Sequence, residues 1–260
     1  MASQSRPVRA DRSSLGLPST VEACLFDLDG VLTQTARVHA KAWKAMFDAF
    51  LKERAARTGD DFRPFDEIND YDTYVDGKPR EDGVRSFLAS RRIELSEGSE
   101  QDPPEAETVH GLGNRKDHLF LQLIHTQGVE VYQGSVQYVH AARAAALKLA
   151  VVSSSKNCTE VLRAARLDGL FDAQVDGNVA YARGLAGKPA PDTYLEAARM
   201  LGAAPAQGVV YEDALAGVEA GRAGGFGLVI GVDRVGQAAA LREHGADVVV
   251  KDLAELMHAS

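Results

Sequence analysis

Residues 23–35 read ACLFDLDGVLTQT, a short apolar run that ends in two aspartates, Asp27 and Asp29, one leucine apart and followed by Gly30. Consecutive apolar residues suit a strand buried on both faces. A strand that emerges into two carboxylates, with no Lys or Arg beside them in sequence, needs something to offset their repulsion. Taken alone, DLDG also reads as a turn, because Asp and Gly are turn residues.

Working outward, the opening MASQSRPVRADRSS is rich in Arg and Ser and lacks the apolar centre of a secretory signal. A transit peptide and a disordered tail over 1–20 are both compatible with it, and the tail is the expectation adopted. Downstream, Ala36 to about Arg57 contains no Gly or Pro, and Trp43, Met46, Phe47, Phe50 and Leu51 recur at helical spacing. An irregular polar stretch follows, from Thr58 to Pro79. Two more helices are expected over Arg80–Arg92 and Asn114–Gln127, separated by the acidic, Pro-containing surface loop ELSEGSEQDPPEAET. From about Gly128 short apolar runs (LKLAVV, GVVY, FGLVIGV, ADVVV) alternate with Ala-rich helical ones. That alternation predicts an α/β fold with a parallel sheet covered on both faces. The expected organisation is a core from 21–35 and 128–260, with 36–127 inserted after the first strand as an α-helical cap.

The chain has 260 residues, 45% hydrophobic and 25% charged, an ordinary composition for a protein with a core. Its formal charge of −8 argues against non-specific nucleic-acid binding. No apolar stretch approaches membrane-spanning length. Two cysteines suggest no disulfide framework and a reducing compartment, so cytoplasmic residence is expected. No obligate protein partner is evident.

Ligands of open parallel sheets bind beyond the carboxyl ends of the strands. There the first strand delivers Asp27 and Asp29. LAVV delivers Ser153, Ser154 and Ser155, then Lys156 and Asn157, and GVVY delivers Glu212 and Asp213. Lys188 lies between, in GKPAPD. Asp27 with Asp213, helped by Glu212 and a backbone carbonyl near Asp29, could hold one Mg²⁺, a hard cation that favours oxygen ligands. The ion would offset the carboxylate repulsion and leave an Asp27 oxygen to attack phosphorus. Lys188 and Ser153 would stabilise the transferring oxygens, and Asp29 would move a proton. Each segment has a plainer reading: Asp213 as a helix N-cap, SSSKN as a cap of the next helix, Lys188 as a solvated lysine. Their coincidence at one sheet edge favours chemistry.

As a set, DLDGV, the strand-end Ser153, Lys188 in GKPAPD and EDALAG (212–217) resemble the haloacid dehalogenase superfamily, in the family's order. The resemblance covers nearly the whole chain after the tail and implies a Rossmann-like core with a helical cap, Mg²⁺ and an aspartyl-phosphate on Asp27. DGVLTQTARVHAKAWKA, SSSKN and GKPAPD look like the beta-phosphoglucomutase branch, which interconverts beta-glucose 1-phosphate and glucose 6-phosphate. A mutase must hold a sugar bisphosphate and let it turn over, so it needs a second anion site. Arg80 at a cap-helix start, where anions are attracted, and Lys116 or its neighbour Arg115 are candidates. The resemblance adds Ser155, Lys156 and Asn157 for the distal phosphate, and His39 as a hinge residue aiding proton delivery to Asp29. Solvated charges are the plainer reading of Arg80 and Lys116, and a structural hinge that of His39.

There are departures. Gln34 stands where many relatives carry aspartate, Ser154 replaces a small apolar residue, and 58–76 and 94–108 enlarge the cap. The expected function is a Mg²⁺-dependent sugar-phosphate mutase acting on a small-molecule sugar phosphate. A phosphatase with the same core residues is the alternative. A catalytically silent phosphosugar-binding protein and a halide-releasing enzyme are less well supported by the intact carboxylate and lysine set.

Overall fold

In the computed structural model, residues 12–257 are described. Six strands, β1 (Ala23–Asp27), β2 (Lys148–Val152), β3 (Ala173–Val175), β4 (Gly208–Glu212), β5 (Leu228–Val232) and β6 (Val248–Val250), form one sheet in the order β3-β2-β1-β4-β5-β6. Every pairing is parallel. The chain leaves β1 toward β2 on one side and returns to β4 on the other, which makes β1 the switch point where a crevice opens at the strand ends. β1 and β4 are buried throughout, as their continuous apolar sequence requires. Alternation of side chains sorts Cys24 and Phe26 to one face, and Ala23 and Leu25 to the other.

Nine α-helices are present among the described residues: α1 (Ala36–Thr58), α2 (Arg80–Ser90), α3 (Val109–Gln127), α4 (Gln133–Ala144), α5 (Cys158–Ala164), α6 (Gly177–Arg183), α7 (Asp192–Leu201), α8 (Leu215–Ala223) and α9 (Ala238–Glu243). Tyr138, Val139 and Ala142 of α4 and Val161 of α5 cover the Phe26 face, and Tyr194, Ala197 and Leu201 of α7 cover the Leu25 face. Trp43, Phe47 and Phe50 of α1 pack with Val84 and Phe87 of α2 and Leu112 of α3 into a separate cluster. α1 and α3 also send Ala42, Phe120 and Ile124 into the sheet's core. Between the two clusters the chain passes through a pair of short crossings, where Thr33 bridges Val131 and the Gln34 amide donates to Glu130 O at 2.8 Å.

Three expectations change. α3 starts at Val109 rather than near Asn114, because Thr108 caps it by accepting from the Gly111 amide at 2.9 Å. The Thr58–Pro79 stretch is not wholly irregular, since Tyr71–Val75 makes one wide helical turn. Residues 1–11 of the expected tail lie outside the described residues, but 12–20 do not trail free. Leu15 and Leu17 are buried against the sheet's core, and the Tyr138 hydroxyl donates to Leu15 O at 3.0 Å. Removing those two leucines from water is reason enough for the segment to dock. No helix among the described residues is long and apolar enough to cross a membrane.

Candidate active site

Apart from Arg115, the alternative to Lys116, which donates to Pro104 O instead, the residues expected at the site line one cavity of about 820 Å³ at the strand ends. Register explains the convergence. Asp27 is level with Val152, and Phe26 with Tyr211, so Asp27, Ser153 and Glu212 leave adjacent strands side by side. After β1 the backbone turns at Gly30 with φ 89°, and a Cβ there would run into the Asp213 carboxylate. Only glycine meets both demands. Gly217 on α8 is needed for a similar reason, because a Cβ there would collide with the Glu212 carboxylate.

Carboxylate oxygens of Asp27, Glu212 and Asp213 lie within 4.8 Å of one another. Lys188 is buried rather than solvated, with Nζ 2.5 Å from Asp27 Oδ1 and in contact with Glu212 Oε1. Burial alone would discharge this lysine, but Asp27 and Glu212 outweigh burial and hold the ammonium charged. Glu212 also accepts from the Tyr194 hydroxyl at 2.9 Å and from the Ala214 amide at 3.1 Å. Burial raises the Asp213 carboxyl, and Asp76, Asp27 and Glu212 push it further up. A donor set made wholly of hard oxygens, with more negative charge than Lys188 can neutralise, fits a divalent cation. Asp213 is not a helix cap: α8 follows Ala214, and no side chain caps it.

The Asp29 side chain lies outside that trio, and the carbonyl expected to help hold the ion is a backbone group near it. The side chain accepts from the Thr35 hydroxyl, and Ser153 Oγ lies 3.4 Å from its Oδ2. His39 Nε2 is 3.5 Å from Asp29 Oδ1 and otherwise unpartnered, while His39 Nδ1 is 2.6 Å from Lys116 Nζ. An ammonium has only donors, so with Lys116 charged the imidazole proton sits on Nε2, facing Asp29. Burial alone would raise the Asp29 carboxyl; His39 and Thr35 outweigh it and hold the group below its ordinary value. Lys116 is buried too, in the second turn of α3, and burial brings its ammonium down to about 7.

The other expected groups line the same cavity. Arg80 Nη1 is 2.8 Å from Asp117, and its Nε is 3.2 Å from Glu81, so this arginine is paired rather than solvated. Asn157 Nδ2 donates to the same Asp117 at 2.7 Å, and Lys156 Nζ is 3.9 Å from Glu81. Ser154 directs its hydroxyl to Gly77 O at 2.9 Å. Ser153 and Ser155 each accept from the amide two residues on at 3.1 Å, which shapes the loop; Asn157 makes no side-chain cap of α5. These contacts seat the helical segment on the strand ends.

Sequence reasoning did not single out Thr35, Asp76, Asp117, Tyr71 or Tyr194, whose roles arise only when distant segments meet. Arg234, after β5, was also passed over. It donates to Gly30 O at 2.7 Å, Val31 O at 3.3 Å and Lys251 O at 2.6 Å, pinning the loop that follows the two aspartates.

The family model of haloacid dehalogenase-like hydrolases matches residues 21–225. The chain is 59% identical over 246 residues to a beta-phosphoglucomutase of Mycobacterium bovis, covering 94% of each. It is 32% identical over 237 residues to a beta-phosphoglucomutase of Bacillus subtilis, covering 91% of this chain and 92% of that protein. The crystal structure of a beta-phosphoglucomutase from Clostridium difficile superposes with a TM-score of 0.71 at 25% identity, over 91% of this chain and 93% of that one.

Proposed function

The chain belongs to the haloacid dehalogenase-like hydrolase family as a phosphotransferase of that type, and from that premise we propose that it is a Mg²⁺-dependent mutase interconverting beta-glucose 1-phosphate and glucose 6-phosphate. One observation carries the reading. A single cavity has an acidic, lysine-bridged end at Asp27 and, apart from that cluster, the cationic and amide groups of Arg80, Lys156 and Asn157, which a second phosphate could draw from Asp117 and Glu81. A molecule with a phosphate at each end matches that polarity. The 59% identical relative named beta-phosphoglucomutase supports the same substrate class.

In this reading Asp27, Asp213 and Glu212 hold the Mg²⁺, with a backbone carbonyl near Asp29. The ion, when bound, neutralises charge on the phosphoryl oxygens. With the phosphoryl group on Asp27, the sugar's 6-hydroxyl gives its proton to Asp29 as its oxygen takes the phosphoryl from Asp27, forming the bisphosphate. After the bisphosphate turns over, an Asp27 oxygen attacks the 1-phosphoryl, the bond from phosphorus to the sugar oxygen breaks, and Asp29 returns its proton to that oxygen. The depressed carboxyl of Asp29 suits the first step, because it rests ionised, as a base must. Ser153 and Lys188 hold the transferring oxygens, His39 orients Asp29, and Ser154, Ser155 and Lys116 shape the cavity, whose closure over substrate would exclude water. The same reading assigns the enzyme to the cytoplasm, with no nucleic acid or obligate protein partner.

A coupled assay with Mg²⁺, beta-glucose 1-phosphate and a trace of beta-glucose 1,6-bisphosphate tests this. Primer-dependent glucose 6-phosphate with little free phosphate is expected. Stoichiometric phosphate without isomer would make the enzyme a phosphatase instead.

A further inference from the structure

The cap segment contributes five carboxylates to the cavity; three have cationic partners, and Glu100 is bonded to the hydroxyl of exposed Tyr181. Glu81 and Asp117 pair with Arg80, and Asp82 with Arg85 at 2.6 Å. Asp76 differs. It lines the cavity beside Asp29 and Asp213, yet its side-chain partner is the hydroxyl of buried Tyr71. Its position is fixed rather than incidental. The Asp76 amide donates to Tyr71 O at 3.0 Å, closing the wide helical turn, and the next residue's carbonyl accepts from Ser154. A Cβ on Gly77 would stand 3.3 Å from that of Ala214, so the 76–77 backbone lies directly against the loop carrying Asp213.

A carboxylate without a cation in a closing cavity calls for other donors. An ionised carboxylate offers about four acceptor sites and no donors, and Tyr71 uses one. Phosphate oxygens would repel it. The hydroxyls of a sugar ring are donors, and they occupy the space between two phosphates. We propose that Asp76, oriented by Tyr71, accepts hydrogen bonds from ring hydroxyls of the bound sugar and so helps to decide which sugar phosphate the enzyme takes. This rests on the sugar-phosphate reading of the cavity and adds a recognition group to it. Burial and the nearby Glu212 push the Asp76 carboxyl up to about 7; hydroxyl donors would favour its ionised form.

Calorimetric titration of the full chain in Mg²⁺ with glucose 6-phosphate and its 2-, 3- and 4-deoxy forms tests the proposal. The wild type should bind at least one deoxy form roughly tenfold more weakly, the usual effect of leaving a charged acceptor unmet. In Asp76→Ala that ratio should fall to about twofold or less, and Tyr71→Phe should reduce it part-way. Using a ratio cancels the general effect of removing a negative charge near phosphate. A ratio unchanged in Asp76→Ala overturns the proposal, as does a wild type that binds all four sugars equally. So does an Asp76→Ala protein that keeps the ratio but loses tenfold in Mg²⁺ affinity measured without sugar, because Asp76 would then serve the metal. Discrimination without isomerisation would sustain the role of Asp76 and remove the mutase, whereas isomerisation without discrimination would do the reverse.

Discussion

Lys188 is the group on which the acidic end of the cavity depends, and Lys188→Met tests that directly. The substitution keeps an unbranched apolar stem and deletes a charge that is buried between Asp27 and Glu212. Two buried carboxylates then face each other, and Asp213 as well, without compensation. Removing one partner of a buried ion pair costs about 3–5 kcal/mol. For a chain of this size that corresponds to a Tm lower by roughly 6–20 °C in EDTA. A divalent cation should repair part of the defect, because the variant's site is one charge more negative and binds the ion more tightly. Each tenfold gain in affinity narrows the gap by about 1.4 kcal/mol at saturating ion. The assay is thermal unfolding of both proteins across a Mg²⁺ series, with phosphoryl transfer measured alongside and expected to be abolished. A variant within 2 °C of wild type in EDTA, on the order of the spread of one surface substitution, would refute the reasoning, as would a gap indifferent to Mg²⁺.

Other expectations follow from the same geometry. Asp29→Asn should slow turnover by ~100-fold or more while leaving Mg²⁺ affinity close to wild type, since Asp29 stands outside the acidic trio; near-normal turnover would remove its proton-transfer role. Gly30→Ala should cut Mg²⁺ affinity, measured by titration, because the added methyl displaces the Asp213 carboxylate. Lys116 has a folded pKa of about 7 against an ordinary 10.5, so the unfolded chain holds its proton more strongly between those values. Wild-type stability relative to Lys116→Met should therefore rise from pH 7 to 9, by up to about 2–3 kcal/mol, and the difference should be flat below pH 7. Denaturant unfolding at several pH values reads it, and a parallel pair of curves would contradict the burial of a titrating lysine.

The fold was legible where local pattern and tertiary structure agree. The apolar runs of β1, β2, β4 and β5 are long enough to read as buried strands. β3 and α6 were missed because AQV sets a polar residue between two apolar ones and GNVAYAR buries no side chain, so neither carries an apolar run or stripe. Gly111 and Gly113 disguised the first turn of α3, since glycine in a helix interior is unfavourable, and only the Thr108 cap marks its start. At the site, residues attached to short motifs could be read, because strand ends in a parallel sheet must converge. Asp76 and Asp117 could not. A lone aspartate in a polar stretch carries no local sign of which distant segment will face it. Charge state was equally hidden, as the burial of Lys116 and Lys188 depends on closure of one segment over another.

Arg234 has a bearing on how much of the chain the chemistry requires. The family match ends at residue 225, which invites treating the remainder as an appendage that could be trimmed. Yet the guanidinium that holds the Gly30 and Val31 carbonyls comes from beyond that point, and it stacks on Tyr132 with 3.4 Å between guanidinium carbon and ring centre. β5 and β6 also lie past residue 225, so trimming there would strip the sheet of two strands and expose β4 as an edge. The C-terminal segment is thus the outer buttress of the loop that follows Asp27 and Asp29.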